Sequence, residues 1–214
     1  MSRRTLVIAI TAVAVIGFSA AAFYYNRATT PVQVTAPVQD SSALVRFNAP
    51  SFGPAKASVT VVEFFDPSCE SCRAFYPIVK QMMAKHPNDI RLVLRYVPLH
   101  VGSEQAIRLL ETARKQGVYP QVLEAVLESQ PQWHDDANAT AAWTAAIQAG
   151  LDEAKAREIL MSAEITATIA RDAADAKTLG VTRTPSFFVN GKPLTNFGAQ
   201  PLYDLIRSEM SAAQ

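Results

Sequence analysis

The sequence predicts an α/β domain with an all-helical insertion, because strand signals stand on both sides of a long helical tract. Two apolar, β-branched runs, residues 58–65 and 90–97, predict strands in the first half of the chain. A third run, Ser186–Val189, leads into Asn190 and Gly191, a pair typical of a hairpin turn. Strands that flank a block of helices predict one sheet interrupted by a helical insertion.

The remaining elements follow from local signals. A short first strand is expected at 43–47, and prolines and a glycine predict a turn over 48–57. A helix-like stretch follows at 73–85, and glycines at the ends of apolar repeats predict several helices in the central tract. These predicted helices cover 103–115, 118–128, 137–149, 152–161 and 165–179. A strand at 192–194 and a helix at 201–210 complete the chain.

Composition excludes several classes of protein. The chain has 214 residues, of which 49% are hydrophobic, so a sizeable core is expected. The net charge is +1 and no basic or acidic block is present, so no nucleic-acid partner is expected.

The N-terminus predicts export. After Arg3 and Arg4, residues 5–25 carry no charge and are long enough as a helix to cross a bilayer core. The alternative is a cleaved signal peptide, for which residues 19–22 offer small side chains. We expect an anchor or signal at 1–25, an extended tether at 26–42, and a domain at 43–214 with its insertion at about 101–180. The domain would lie in the periplasm, on a single-pass inner-membrane anchor or in soluble form if the leader is cleaved.

The two cysteines of the chain form the motif Cys69-Glu70-Ser71-Cys72, between a predicted strand and a predicted helix. A helix N-terminus favours a thiolate, so Cys69 is the expected nucleophile and Cys72 the shielded resolving thiol. With no other cysteine, a larger disulfide framework and a four-thiolate metal site are excluded. Two alternatives stay open: a copper-binding or copper-delivery module that uses the two thiolates, and an inert disulfide.

The motif and a second segment together resemble a known family. The cysteine motif after the 58–65 strand, with residues 180–191 (which contain Thr184 and Pro185), resembles the thioredoxin fold. More closely, it resembles the DsbA-like group of exported thiol-disulfide oxidoreductases, from residue 44 to the C-terminus. The resemblance implies cysteine-containing exported proteins as substrates and a membrane redox partner that regenerates the cysteine pair. No metal or organic cofactor is expected besides the redox-active pair, and we expect a monomer.

The resemblance also implies that the Thr184–Pro185 bond is cis and lies beside the cysteines. A cis bond there would leave the Thr184 backbone free to pair with an extended substrate segment. The alternative is a proline that only begins a strand.

Glu63 interrupts an otherwise apolar strand. A buried carboxylate is costly and its pKa should rise, so Glu63 could accept and return the proton of Cys72. The DsbA-like group has an acidic residue at this spacing. The alternative is a strand-end carboxylate that reaches water or pairs with an arginine.

Glu70 and Ser71 stand between the cysteines, where strongly oxidising members of the group have Pro-His. A carboxylate beside Cys69 is expected to raise the pKa of that thiol, which predicts a weaker oxidant, acting as a reductase or isomerase. The alternative is that Glu70 points into solvent, and the direction of exchange stays open. The three histidines (His86, His100 and His134) are interpreted as satisfied surface or core residues.

Overall fold

A mixed five-stranded sheet forms the centre of the computed structural model, which describes Gly17 and residues 41–212. Its strands are β1 (Ser51–Phe52), β2 (Val59–Phe65), β3 (Ile90–Tyr96), β4 (Ser186–Val189) and β5 (Lys192–Pro193). Their order is β1-β3-β2-β4-β5. The central strands β2 and β3 are parallel, and the other neighbours are antiparallel.

Seven α-helices surround the sheet in the described part of the chain. They are α1 (Glu70–Lys85), α2 (Ser103–Lys115), α3 (Tyr119–Glu128), α4 (Thr140–Gln148), α5 (Glu153–Ile159), α6 (Ala163–Thr178) and α7 (Ala199–Ala212). Short 3-10 turns occur at Ser41–Ala43 and Gln130–Gln132. Because α2 to α6 lie between β3 and β4, the expected helical insertion in an α/β sheet is confirmed.

The strand β2 is buried on both faces, as its apolar run predicts. On one face Val59, Val61 and Phe65 pack in the main core with α1, α7 and the helices of the insertion. On the other face Val62 and Phe64 pack in a second cluster with the C-terminal end of α6. Side chains alternate along a strand, so Glu63 lies on the face that is covered by α1.

The prediction of a strand at 43–47 is wrong. The structure has a 3-10 turn at Ser41–Ala43, and β1 lies instead at Ser51–Phe52, inside the expected turn. The reason lies in Arg95, whose Nη1 donates to the carbonyls of Ala43 and Leu44 at 2.7 and 2.8 Å. These carbonyls therefore accept hydrogen bonds from a side chain and do not pair with a neighbouring strand.

The segment that precedes the domain lies mostly outside the described residues. The anchor or signal expected at 1–25 falls there apart from Gly17, and so does the tether expected at 26–42 apart from its last two residues. Among the residues that the structure does describe, no helix is both long enough and apolar enough to cross a bilayer.

A buried ion network joins β3 to α6. Arg95 is fully buried and its Nη2 lies 2.7 Å from Asp172 Oδ1 and 2.6 Å from Asp175 Oδ2. Asp172 Oδ2 also accepts a bond from the Tyr96 backbone at 2.9 Å, and Arg46 binds Asp175 at 2.7 Å. The network anchors the last helix of the insertion to the central sheet.

We expect Asp172→Ala to destabilise the fold by about 3 kcal/mol, because it leaves the buried Arg95 guanidinium without its main partner. Urea unfolding of the two proteins measures this difference. The exposed Asp204 on α7 supplies the control, and Asp204→Ala is expected to change the unfolding free energy by less than about 0.5 kcal/mol. Equal stability of the two variants would contradict a supporting role for the network.

Candidate active site

The end of β2 delivers the two cysteines to the start of α1. After Phe65 the chain makes a tight turn, in which the Cys69 amide donates to the Asp66 carbonyl at 3.1 Å. Cys69 is the N-cap residue of α1, with an extended backbone at φ −74° and ψ 119°. Its sulfur therefore lies where the free N–H groups of the helix begin.

The two sulfurs differ in accessibility. Both cysteines are free thiols, and Cys69 is 6% exposed whereas Cys72 is 0% exposed. The Cys72 sulfur accepts a hydrogen bond from the Asp66 backbone amide at 3.5 Å. Cys69 is thus the sulfur that a second protein can reach more easily, and Cys72 lies one helical turn behind it.

The pKa values of the two thiols are shifted in opposite directions. A hydrogen bond from the Cys72 thiol is the main cause that lowers the pKa of Cys69 to about 5, against the opposing effect of burial. Thr184 and the backbone amides of Cys72 and Ser71 lower it further. Burial raises the pKa of Cys72 well above its ordinary value, and the bond to Cys69 and the charge of Glu63 add to that rise. At neutral pH the site therefore holds a thiolate on Cys69 and a thiol on Cys72.

Glu70 does not determine the net shift of the Cys69 pKa. The pKa of Cys69 is lowered, although a carboxylate stands next to it in the sequence. Glu70 is exposed to solvent, where water and salt screen its charge. Ser71 acts through its backbone amide, which contributes to the lowered pKa of Cys69.

The segment before β4 lies against Cys69. The Thr184–Pro185 bond is cis, as the resemblance implies, and Cys69 Sγ lies 3.3 Å from the Thr184 carbonyl oxygen, to which the protonated thiol donates. This bond is lost when Cys69 ionises, and the expected pairing of the Thr184 backbone with a substrate stays a prediction. The Thr184 hydroxyl is buried and has no hydrogen-bond partner among the described residues, so it is available to the Cys69 thiolate, whose pKa Thr184 lowers.

Glu63 is buried in the middle of the sheet. It lies opposite Leu94 of β3 and Phe187 of β4, it is 1% exposed, and neither carboxyl oxygen has a hydrogen-bond partner among the described residues. Burial, and then the charge of Cys69, raises the pKa of Glu63 to about 8. The alternative of a water-exposed or arginine-paired carboxylate is therefore not what the structure contains. A neutral carboxyl group near Cys72 is suited to exchange a proton with it.

Sequence reasoning missed three residues around the cysteine turn: Asp66, His100 and Gln130. The buried Gln130 side chain donates to the carbonyls of Pro67 and Cys69 at 2.7 and 3.0 Å, and so joins the insertion to the turn. Asp66 Oδ2 lies 2.7 Å from His100 Nδ1. The sequence Asp66-Pro67-Ser68 could have indicated a turn closed by an Asp side chain, but the other contacts join distant parts of the chain.

No group of three or more His, Cys, Asp or Glu side chains is placed to hold a metal ion in the part of the chain that the structure describes. The two cysteines therefore lie in this part without a third potential ligand of those types.

The chain matches a known protein family over most of its length. A family model described as thioredoxin matches residues 48–206. The chain belongs to the thioredoxin family. A thioredoxin-like oxidoreductase from Silicibacter pomeroyi has 33% sequence identity and a TM-score of 0.72, over 83% of this chain and 100% of that one. The expected family and the class of thiol-disulfide oxidoreductase are confirmed at this level.

Curated relatives include two kinds of protein. The thiol:disulfide interchange protein DsbA of Bordetella parapertussis is 25% identical over 174 residues, which are 79% of this chain and 81% of that protein. The Na(+)/H(+) antiporter NhaA 3 of Salinispora tropica is 32% identical over 143 residues, or 65% of this chain. The match spans only 21% of the length of that antiporter.

We expect Thr184→Val to raise the pKa of Cys69, because the variant loses the hydroxyl that can donate to the thiolate. The loss of one hydrogen bond to a charged group is worth about 1.5 kcal/mol, or roughly one pH unit. Thiolate absorbance followed against pH measures the shift. Thr182→Val, at an exposed position two residues away, is the control, and an unchanged titration of Thr184→Val would refute the assignment.

We expect Glu63→Gln to stabilise the reduced protein increasingly as pH rises. With a folded pKa of about 8 and an ordinary value of 4.5, wild-type Glu63 binds more protons in the folded state between these limits. Stability is therefore lost as pH rises through this window, by roughly 5 kcal/mol in total, and the variant escapes that loss. Urea unfolding across the window tests this, with the exposed Glu128→Gln as control. A difference in unfolding free energy between the variant and wild type that does not change with pH would contradict a buried Glu63 with a raised pKa.

Proposed function

We propose that the chain is an exported thiol-disulfide oxidoreductase that exchanges disulfides with cysteine-containing envelope proteins. The observation that carries this proposal is that the pKa values of the two thiols are shifted in opposite directions. The pKa of Cys69 is lowered to about 5, whereas that of the buried Cys72, one turn behind it, is raised. A low-pKa thiolate at a reachable position attacks disulfides, and its thiolate is a good leaving group in the reverse step. A shielded second thiol suits resolution of the mixed disulfide.

The exchange proceeds through a mixed disulfide on Cys69. When a client is oxidised, a client thiolate attacks Cys69 in the Cys69–Cys72 disulfide, and Cys72 leaves and takes a proton from Glu63. A second client thiolate then attacks the client sulfur of the mixed disulfide, so that the client gains a disulfide and Cys69 leaves as a thiolate. Client reduction runs through the same steps in reverse. Thr184 and Pro185, which lie against Cys69, would border the bound client segment.

The lowered pKa of Cys69 favours the oxidising direction. Stabilising the thiolate stabilises the reduced pair, and a more stable reduced pair makes the disulfide a stronger oxidant. The expectation of a weaker oxidant than the Pro-His members, which depended on Glu70 raising that pKa, remains the alternative. The proposal does not require a metal or an organic cofactor.

Residues 1–25 support a location in the bacterial envelope, as a single-pass inner-membrane anchor or as a cleaved leader. A membrane redox partner would reoxidise the pair, and the domain would act as a monomer. The Bordetella relative, which is named a thiol:disulfide interchange protein, supports the same substrate class.

The decisive experiment compares redox turnover with metal binding. We expect the wild-type protein to introduce disulfides into a reduced, unfolded test protein, and both Cys69→Ser and Cys72→Ser to lose turnover. Equilibration with glutathione should give a potential well above the roughly −270 mV of thioredoxin. Stoichiometric Cu(I) binding without disulfide exchange would contradict the proposal and favour copper delivery. If the protein exchanges disulfides but has a potential like that of thioredoxin, it is still a thiol-disulfide oxidoreductase, but it reduces its clients and does not oxidise them.

A further inference from the structure

The Asp66 carboxylate is a buried charged group that the steps above do not use. It is 0% exposed and follows directly after β2. Its Oδ1 accepts from the Ser68 backbone at 2.9 Å, and its Oδ2 accepts from the Leu99 backbone at 2.8 Å and lies 2.7 Å from His100 Nδ1. A buried carboxylate with this many partners holds its surroundings in one arrangement.

The backbone of the same residue contacts a reacting atom. The Asp66 amide donates to Cys72 Sγ at 3.5 Å, and this bond lowers the pKa of Cys72 against the larger effects that raise it. The side chain and the amide of Asp66 therefore have different partners, and the amide partner is the sulfur of Cys72.

His100 completes the arrangement from the loop that follows β3. Its side chain is 47% exposed, and its ring nitrogen meets the buried Asp66 carboxylate. Ser68 Oγ, which donates to the Val101 carbonyl at 2.9 Å, holds the loop against the cysteine turn. The His100 amide, which donates to Ser103 Oγ at 3.1 Å, holds the loop against the start of α2. The imidazole thus has a fixed place from which it can hold the carboxylate.

We propose that Asp66 and His100 are positioning residues for the Cys72 thiolate: His100 holds the Asp66 carboxylate, which keeps the Asp66 backbone amide aimed at Cys72 Sγ. This inference rests on the proposed disulfide exchange. It assigns residues that stabilise negative charge on the buried sulfur of Cys72, separate from the contacts that stabilise the Cys69 thiolate.

The chemistry needs support for negative charge on Cys72 in both directions. In the mixed disulfide Cys69 carries no charge, so one cause of the raised Glu63 pKa is gone and Glu63 releases its proton to solvent more readily. When the pair is oxidised by a disulfide, ionised Glu63 accepts the Cys72 proton, and Cys72 attacks Cys69 Sγ in the mixed disulfide. The bond from Cys69 to the client sulfur breaks, the client leaves as a thiolate, and the Cys69–Cys72 disulfide forms. In the reverse reaction the Cys69–Cys72 bond breaks and its electron pair stays on Cys72. An N–H already directed at this sulfur strengthens as the charge develops, without reorganisation.

The experiment separates attack by Cys69 from resolution by Cys72. Reduced protein is mixed rapidly with glutathione disulfide, and the first-order rate at saturating disulfide reports resolution. The same variants on a Cys72→Ala background report the attack step alone. His100→Leu removes the ring nitrogen, whereas His100→Asn retains an N–H donor close to the Nδ1 position. His134→Leu is the matched control, since His134 is also paired with an aspartate, Asp135, at 3.1 Å.

We expect His100→Leu to slow resolution about tenfold, as for one weakened hydrogen bond to a charged sulfur, while attack changes less than about twofold. His100→Asn should restore most of the resolution rate, and His134→Leu should resemble wild type. Asp66→Asn provides a second variant, with the same loss confined to resolution.

Unchanged resolution in both His100→Leu and Asp66→Asn would overturn the inference. An equal fall in attack and resolution would also overturn it, because that result indicates general structural damage. A wild-type protein that exchanges no disulfide at all would instead refute the proposed function.

Discussion

The structure depends on one interaction, the stabilisation of a Cys69 thiolate at the first turn of α1. Burial alone would raise the pKa of this thiol, and the Cys72 thiol, Thr184 and two backbone amides together reverse that effect. These groups come from α1 and from the segment before β4, which pairs with β2. The central strand order β3-β2-β4 is therefore a requirement of the chemistry, since it brings the cis Thr184–Pro185 bond to the cysteine turn.

Of the three groups that exchange protons in the site, only Cys69 is charged at neutral pH, because Glu63 and Cys72 are buried deeply enough to stay neutral. Glu63 has no hydrogen-bond partner among the described residues and a pKa near 8, and the pKa of Cys72 lies well above its ordinary value. The Cys69 charge adds to both of these shifts, so each group's charge state depends on the others. Loss of the Cys69 charge in a mixed disulfide removes one cause of the raised Cys72 pKa. Formation of the mixed disulfide thus prepares Cys72 to act next.

Sequence patterns could predict the parts of the fold that depend on local signals. The runs at β2, β3 and β4 are apolar enough to be recognised as strands, and a lone carboxylate within β2 already indicated a special role for Glu63. The first strand was misplaced because Arg95, some 50 residues away, binds the carbonyls of Ala43 and Leu44. The pairing of Asp66 with His100 joins residues 34 positions apart, and that of Gln130 with Cys69 joins residues 61 apart. No local pattern indicates such contacts.

The groups that shift the pKa of Cys69 lie mostly outside the dipeptide between the cysteines. The dipeptide between the cysteines is the feature that the sequence displays most clearly, yet Glu70 projects into solvent. The groups that set the pKa of Cys69 are instead the second cysteine, the helix amides and a threonine 115 positions away. The turn that carries Cys69 is also held by Gln130 from the insertion and by the Asp66 carboxylate. A turn fixed from several sides keeps its donors aimed at the sulfurs before charge develops, which lowers the cost of forming a thiolate. The helical insertion therefore contributes to the redox chemistry through the rigidity of this turn, and the intervening dipeptide alone does not determine it.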